Sequence, residues 1–293
     1  DPVILTVSSG LASVPLTTLT GPGGVGKTAL AVAVAVESSA RFPDGVFVVW
    51  LASLRSADLV AGEVAAQVGM QRSGGHSNEE ALARWLADRD VLLVLDNCEH
   101  VVSAVAELVE DLTARLPRLH VLATSREPLW VVDEVNYRLA PLPEADAVRL
   151  FQKRAGTRAQ ASLDGDRAGE LVREICRRVD GLPLAIELAA ARVVGLDLQD
   201  ISRHLDDLFD LLPQAARRAD GAQRTLRATV EWSDALLTED ERLLLRRMAV
   251  FAGGFDLTAV DAVCASDGQT SAQIADLTAR LVEKSLLLRQ ADS

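Results

Sequence analysis

The strongest chemical signal in this sequence is a glycine-rich run from Gly21 to Thr28 (GPGGVGKT), which fits the phosphate-binding pattern GxxxxGK[ST] without a mismatch. Glycines let the backbone wrap tightly, so that successive N–H groups point inward at phosphate oxygens. A helix that begins near Lys27 adds the positive end of its dipole. Lys27 can then bridge the β- and γ-phosphates of a nucleotide, and the Thr28 hydroxyl can ligate Mg²⁺. The alternative is a glycine turn that binds no ligand.

We therefore predict a site for ATP or ADP with Mg²⁺ in this run. The residues predicted to contact the nucleotide here are Gly21, Pro22, Gly23, Gly24, Val25, Gly26, Lys27, Thr28 and Ala29. The lysine is informative because only three of the 30 basic residues are lysines, Lys27, Lys153 and Lys284, and the rest are arginines.

An acid at the end of an apolar run is the second signal. The segment from Val91 to Asp96 (VLLVLD) is typical of a buried parallel strand, which delivers its last residue to the same sheet edge as a phosphate-binding loop. We predict that Asp96 holds the Mg²⁺ through a water molecule. Asn97 and Glu99 are candidates for positioning the attacking water in hydrolysis. Asn97 cannot act as a general base, and Glu99 lies farther along the chain.

An arginine follows the next predicted strand, in the run Thr124-Ser125-Arg126. At that edge of the sheet, Arg126 can contact the γ-phosphate and report its presence. The alternative is a surface arginine paired with an acid. The predicted catalytic residues are Lys27, Asp96, Asn97 and Arg126.

The elements that must position these residues alternate between strand and helix patterns over the first two-fifths of the chain. This alternation predicts an α/β P-loop NTPase domain with a doubly wound parallel sheet. The predicted strands are Leu16–Thr20, Gly45–Leu51, Val91–Leu95, Leu119–Ala123 and Val135–Leu139. The predicted helices are Lys27–Ser38, Ala57–Val68, one from a capping box at Ser77 and Glu80 through Leu86, and Val102–Leu116.

After Pro141 and Pro143 the strand patterns stop, and the sequence predicts an all-helical second domain. Its predicted helices are Glu144–Ala155, Asp166–Val179, Leu182–Val194 and Leu198–Leu212. A polar stretch then leads to a third unit, with a capping box at Thr238 and Glu241 and a terminal apolar strand at Ser285–Leu288. We interpret this unit as a winged-helix domain that is truncated before its wing. The predicted domain boundaries are 1–141, 142–214 and 215–293.

Composition excludes several other classes of protein. The chain has 293 residues and a net charge of −12, which argues against a nucleic-acid-binding surface. No run approaches the roughly 18 apolar residues of a membrane span, and residues 1–14 lack the features of a signal peptide. Cys98, Cys176 and Cys264 form no metal or disulfide pattern, so we expect the reducing cytoplasm as the location. Without an initiator methionine, the chain is expected to be a piece of a longer protein.

The motifs LTGPGGVGKT, LLVLDN, ATSRE and GLPLA, in this order, closely resemble those of the signal-transduction ATPases with numerous domains (STAND), in particular their NB-ARC-like core. The segment from Leu16 to Leu288 is most similar to that core in large actinobacterial transcriptional regulators of the antibiotic-regulatory or LuxR type. The family's FVGRE-like segment, which contacts adenine, is not found in Asp1 to Val14.

The resemblance implies a nucleotide-binding α/β domain, a helical domain and a winged-helix domain, with ADP buried between them in a closed state. Exchange for ATP would open the chain and promote homo-oligomerisation. By position, Gly21 to Thr28 would hold the phosphates, Asp96 the magnesium, and Arg126 would be the first sensor. Leu182 and Pro183 of the GLPLA motif would approach the nucleotide from the helical domain. Proline at a first helical turn is otherwise good capping chemistry in any protein.

Three functions are compatible with these patterns. The first is a nucleotide-dependent molecular switch that hydrolyses ATP slowly and regulates a larger transcriptional regulator, with the nucleotide and flanking domains of the same polypeptide as partners. The second is an AAA+-like ATPase that engages duplex DNA through its winged helix. From residue 216 to residue 293 there are ten basic and twelve acidic residues, which disfavours groove binding. The third, a small-molecule kinase, lacks a visible acceptor site.

Overall fold

A computed structural model of the chain describes residues 2–11, 13–70, 77–156, 166–203, 205, 234, 236–251, 254–265 and 269–287. The chain divides into two compact units. The first combines Asp1–Pro22, Lys27–Leu139 and Arg247–Ser293, and the second combines Gly23–Gly26 with Ala140–Arg246.

The first unit is built on a five-stranded sheet in which every neighbouring pair of strands is parallel. The strands are β1 (Leu16–Thr20), β2 (Val46–Trp50), β3 (Val91–Asp96), β4 (Leu119–Thr124) and β5 (Glu134–Arg138). Their order across the sheet is β2-β3-β4-β1-β5. The prediction of a parallel α/β P-loop NTPase sheet is therefore confirmed, and each predicted strand overlaps an observed one.

Helices cover this sheet on both faces. They are α1 (Pro2–Leu11), α2 (Lys27–Ser38), α3 (Val60–Gln67), α4 (Asn78–Leu86) and α5 (Val102–Arg115). Successive side chains of a strand point to opposite faces. In β3, Leu93 and Leu95 accordingly join the core formed with α3, α4 and α5, whereas Leu92 and Val94 join the core formed with α1 and α2. This two-sided burial explains why β3 is apolar without alternation.

Helix α1 was not predicted from the sequence. Its side chains Val7 and Leu11 are buried and contribute to the same core as Val34 of α2. At α4, the predicted N-cap is present, because the Ser77 hydroxyl accepts a hydrogen bond from the Glu80 N–H at 3.2 Å.

The outer edge of the sheet at β2 is closed by a side chain. The Gln67 amide accepts a hydrogen bond from the Trp50 N–H at 2.9 Å and donates one to the Trp50 carbonyl at 3.3 Å. Gln67 thereby satisfies both backbone groups that a further strand would use at this point.

The second unit contains the helices α6 (Glu144–Ala155), α7 (Asp166–Arg178), α8 (Pro183–Ala190) and α9 (Leu198–Arg203). Their apolar sides share one core, with Phe151, Ile175, Ile186 and Ile201 fully buried. The helix predicted at Leu182–Val194 ends at Ala190 and continues as a 3₁₀ turn, Ala191–Val194. The helix predicted at Leu198–Leu212 corresponds to α9, which ends at Arg203, and most of the later residues up to Leu212 lie outside the described residues.

The helices described in the remaining part of the chain are α10 (Glu239–Met248), α11 (Leu257–Cys264) and α12 (Ser271–Glu283). The predicted capping box of α10 is confirmed, since the Thr238 hydroxyl accepts from the Glu241 N–H at 3.3 Å and the Glu241 carboxylate accepts from the Thr238 N–H at 2.8 Å. Across the parts of the chain that the structure describes, no helix is both long and apolar enough to cross a membrane.

The strand predicted at Ser285–Leu288 is wrong for residues 285–287, which form a turn, and Leu288 lies outside the described residues. The physical reason is the end of α12. The N–H of Leu286 bonds to the carbonyl of Leu281, and the N–H of Ser285 bonds to the carbonyl of Val282, which is a Schellman closure. The helical domain 142–214 and the winged-helix domain 215–293 stay predictions.

Candidate functional site

The glycine-rich loop connects the carboxyl end of β1 to the first turn of α2. Gly24 and Gly26 have φ values of 81° and 100°, a region that residues with a Cβ atom rarely adopt. Glycine is therefore required at these positions for the loop to wrap. Because α2 begins at Lys27, the N–H groups of its first turn, which have no partner within the helix, lie directly after the loop, as an anion site requires.

The Lys27 ammonium lies within this loop. Only 8% of the residue is exposed, and Nζ donates to the carbonyls of Gly21 at 2.8 Å and Pro22 at 3.1 Å. Burial lowers the pKa of Lys27 from 10.5 to about 8, while the carboxylates of Glu99 and Asp96 act in the opposite direction. The cation is thus desolvated and bonded to neutral carbonyls, which a phosphate can replace as a stronger partner.

Asp96 lies at the carboxyl end of β3, and one of its carboxylate oxygens accepts hydrogen bonds from two hydroxyl groups. Thr28 Oγ1 donates to Asp96 Oδ1 at 2.8 Å, and Thr124 Oγ1 donates to the same oxygen at 2.7 Å. Burial raises the pKa of Asp96, and these two hydrogen bonds partly offset that effect. Thr124 was not singled out from the sequence as a site residue, although it lies two positions before Arg126.

The hydroxyl of Thr28 and the carboxylate of Asp96 fit the donor set of Mg²⁺. Magnesium prefers oxygen ligands and usually takes only one or two from the protein, with waters and phosphates completing its shell. Thr28 is exposed and so accessible to a ligand. In the described part of the chain no cluster of three or more His, Cys, Asp or Glu side chains suits a metal, so a protein-only metal cage is not seen there.

Arg126 follows β4 and is buried rather than on the surface, with 6% of the residue exposed. Its Nε lies 3.2 Å from Glu99 Oε1, and the Glu99 side chain is itself only 6% exposed. Oε2 of Glu99 is buried and has no hydrogen-bond partner among the described residues. The alternative prediction was a surface arginine paired with an acid. The pairing is confirmed, but Arg126 is buried rather than on the surface.

Asn97 adopts a left-handed conformation with φ of 68°, which asparagine tolerates better than most residues. Its N–H donates to Thr124 Oγ1 at 2.9 Å, and its side-chain nitrogen lies 3.4 Å from His100 Nδ1. This turn begins the 3₁₀ segment Cys98–His100, which places Glu99 beside Arg126. Burial raises the pKa of the Cys98 thiol well above its usual value, which keeps it an unreactive apolar side chain.

The GLPLA motif lies in the second unit. Leu182 is the N-cap of α8 and Pro183 is its first residue, as the capping interpretation predicts. Within the same unit, the Leu184 N–H donates to the Gly24 carbonyl at 3.1 Å. A Cβ atom on Gly24 would lie 3.0 Å from the Cβ of Leu184. Leu184 is thus a motif residue that contacts the glycine-rich loop, and it was not among the predicted site residues. The roles of Leu182 and Pro183 stay predictions.

The shifted pKa of Lys27 predicts that nucleotide affinity falls above pH 8. Phosphate favours the ammonium form, so binding above the pKa of about 8 requires uptake of a proton. We expect a loss approaching tenfold per pH unit above pH 8, and uptake of about half a proton per nucleotide at pH 8. The nucleotide itself adds no slope, because a terminal phosphate with a pKa near 6 is already fully ionised. Titration calorimetry in buffers of different ionisation enthalpy measures both quantities, and a flat profile from pH 7 to pH 10 would contradict the assignment.

Residues 13–157 match the family model of the AAA domain. This stretch includes β1 to β5, the loop from Gly21 to Gly26, and the side chains of Asp96 and Arg126. This stretch is therefore similar to the AAA domain, and it has the parallel α/β sheet of a P-loop NTPase described above.

Two regulatory proteins are similar in sequence. A Mycobacterium tuberculosis protein named as an HTH-type transcriptional regulator is 44% identical over 279 residues, which covers 95% of this chain and 31% of that protein. The regulatory protein AfsR of Streptomyces coelicolor is 34% identical over 231 residues, which covers 70% of this chain and 22% of that protein. The chain therefore spans less than a third of the length of either relative.

A solved structure of the Aeropyrum pernix ORC2 protein, in ADPNP–ADP complexes, has a TM-score of 0.56 with this chain. The sequences are 12% identical, and the similarity covers 97% of this chain and 85% of that one. At this level of identity the likeness concerns the fold.

Proposed function

We propose that this chain is a nucleotide-dependent molecular switch that binds ADP or ATP with Mg²⁺. The observation that carries the proposal is the set of three groups at one sheet edge, namely the Lys27 ammonium inside the loop and the Thr28 hydroxyl hydrogen-bonded to Asp96. In a P-loop these are the groups that hold the β- and γ-phosphates and the metal. Relatives that are regulators support the switch role, and the Aeropyrum pernix protein is a protein of this fold that binds ADPNP and ADP.

The proposal assigns a separate task to each side chain. Lys27 exchanges the Gly21 and Pro22 carbonyls for phosphate oxygens. Thr28 and Asp96 hold Mg²⁺, and the bound ion would neutralise charge on the phosphates. Arg126 would contact the γ-phosphate, which requires it to exchange or share its pairing with Glu99. Leu182 and Pro183 would approach the nucleotide from the helical domain.

We propose slow rather than rapid hydrolysis of ATP. The residue after Asp96 is Asn97, which cannot take a proton from water, and its side chain lies beside His100. Phosphate release by the purified protein tests this directly. Turnover of roughly the median enzyme rate of about 10 per second would contradict a slow switch.

The free energy for switching must come from groups that distinguish ATP from ADP. Moving a two-state equilibrium from 1:99 to 99:1 requires about 5.5 kcal/mol of differential binding. Charge-assisted hydrogen bonds contribute about 1.5–3 kcal/mol each, so a few contacts from Lys27, Arg126 and Mg²⁺ suffice. The related regulators are more than three times as long, so we propose that the switch acts on flanking domains of the same polypeptide. We propose a cytoplasmic location and the three domains 1–141, 142–214 and 215–293. Nucleotide exchange would drive the formation of a homo-oligomer.

Exchange of Asp96 for asparagine should separate metal binding from folding. Asparagine keeps an acceptor oxygen for the Thr28 and Thr124 hydroxyls but removes the charge that favours the ion. We expect the apparent Mg²⁺ affinity to fall about 10–100-fold, with little change in melting temperature. The measurement is ATP binding at graded Mg²⁺ concentrations, with Asp88→Asn at an exposed acid ahead of the same strand as the control. Unchanged magnesium dependence in the Asp96 variant would remove this residue from the site.

The second candidate is a DNA-engaging ATPase of the AAA+ kind. The observation that favours it is the Mycobacterium tuberculosis relative, which is named as an HTH-type transcriptional regulator. The net charge of −12 and the balance of ten basic and twelve acidic residues after residue 215 oppose phosphate-backbone contacts. A mobility-shift assay with duplex DNA at increasing salt distinguishes the two candidates. The switch proposal expects no binding at about 0.15 M salt, whereas tight and salt-dependent binding would favour the second.

A further inference from the structure

The end of α12 carries an unusual residue at its most constrained position. In the Schellman closure of this helix, Ser285 occupies the left-handed position with φ of 56°. Glycine is the usual residue at this position because it has no Cβ atom to clash with the backbone. A serine in this conformation is less favourable than a glycine, and such an outlier points to a compensating role of its side chain.

The compensating contact joins α12 to the residue after β4. Ser285 Oγ donates a hydrogen bond to the backbone carbonyl of Arg126 at 2.7 Å, across 159 positions of the chain. Ser285 is only 5% exposed, so this bond is shielded from water. Glycine at position 285 would close the helix at least as well, but it could not make this bond.

A second contact supports the same attachment. The Arg138 guanidinium, at the end of β5, lies 3.4 Å from the carbonyls of both Val282 and Leu287. The turn that follows α12 is therefore joined to the sheet at two places, one of which is the backbone of Arg126. Both contacts lie within the first compact unit.

Arg126 is thus held at both ends. Its Nε pairs with Glu99 at 3.2 Å, and its carbonyl accepts the Ser285 hydroxyl at 2.7 Å. A contact with a γ-phosphate that draws the guanidinium away from Glu99 would leave that buried carboxylate without this partner, and the Ser285 bond opposes movement of the backbone that carries the arginine. Both restraints therefore favour the position in which the arginine is paired with Glu99.

We propose that Ser285 is a positioning residue that holds Arg126 in its Glu99-paired position and thereby biases the site toward ADP over ATP. The inference rests on the proposed nucleotide-binding function and adds the regulation of that site. Linkage then requires the converse effect, because a contact that disfavours ATP must itself be weakened by ATP. The turn after α12 is consequently the element whose attachment to the sheet the γ-phosphate loosens.

The test is the variant Ser285→Gly, which removes the hydroxyl and keeps a residue suited to the left-handed position. We expect its ratio of ATP affinity to ADP affinity to rise about fivefold over the unsubstituted protein, the worth of one buried hydrogen bond, without a loss of melting temperature. Ser271→Gly is the matched control, because Ser271 lies at the other end of the same helix and bonds to Asp261 rather than to the site. The control should lower stability slightly and leave the affinity ratio unchanged.

The outcomes separate the two proposals. A higher ATP-to-ADP ratio in Ser285→Gly alone supports the inference, whereas an unchanged or lower ratio overturns it while the nucleotide-binding function stands. Failure of the unsubstituted protein to bind either nucleotide overturns both. Amide hydrogen exchange at Leu286, whose N–H closes the helix, gives an independent measurement, and exchange no faster with ATP than with ADP also contradicts the inference.

Discussion

Replacement of Lys27 with alanine should abolish measurable binding of ATP and ADP at micromolar concentrations. The side chain is the buried cation of the glycine-rich loop, and it is held against two carbonyls that phosphate oxygens would replace. Charge-assisted hydrogen bonds contribute about 1.5–3 kcal/mol each, and Lys27 is proposed to bridge two phosphates, so we expect a loss of at least about 100-fold in affinity. Titration calorimetry or a fluorescent nucleotide analogue measures the change.

The matched control is Lys153→Ala, because Lys153 is one of the three lysines and is exposed on α6. It removes the same charge from the chain without altering the loop. Equal affinities of Lys27→Ala and the unsubstituted protein for both nucleotides would refute the proposed function. Equal losses in the two lysine variants would indicate a general charge effect and would contradict the assigned role of Lys27.

Replacement of Gly181 with alanine should strongly destabilise the protein. Gly181 has φ of 66°, and a Cβ atom built on it would lie 2.5 Å from the carbonyl oxygen of Leu142. The left-handed conformation costs alanine about 1–2 kcal/mol, and forced repacking adds about 1–3 kcal/mol. We expect the thermal midpoint to fall by roughly 10 °C or more, since 1 kcal/mol shifts a domain of about 100 residues by several degrees.

Gly195→Ala provides the comparison for Gly181→Ala. Gly195 lies in the same unit with φ of −123°, and a Cβ atom there meets nothing within 4 Å. Its substitution should change stability by no more than about 0.5 kcal/mol. Circular dichroism melts of the two variants decide the matter, and midpoints within about 3 °C of one another would show that the contact with Leu142 relaxes without cost.

The parts of the fold that were predictable are those in which chemistry and periodicity restrict the sequence. The run from Val91 to Asp96 is buried on both faces, so its unbroken apolar residues were sufficient to indicate a central strand. The glycine-rich loop was recognisable because its glycines and lysine follow from the shape of a polyphosphate. The capping box at Thr238 was recognisable because two residues three positions apart satisfy each other's backbone groups.

The unpredicted features depend on contacts between distant parts of the chain. Nothing near Glu99 in the sequence indicates that it pairs with Arg126, which comes from another strand end 27 positions later. Helix α1 was not predicted because its residues are largely apolar and form no strong polar face, so no helical periodicity is visible in its sequence. The apolar letters after Ser285 indicated a strand, but the Schellman closure of α12 turns the chain there instead. The contact of Leu184 with Gly24 was likewise invisible to spacing alone.

The glutamine at the sheet edge limits how copies of this protein can associate. Because Gln67 occupies the N–H and the carbonyl of Trp50, an incoming β-strand from a neighbouring molecule cannot bond to the main chain of this residue. Strand-by-strand polymerisation along this border, the geometry of fibrils, is therefore blocked at that residue.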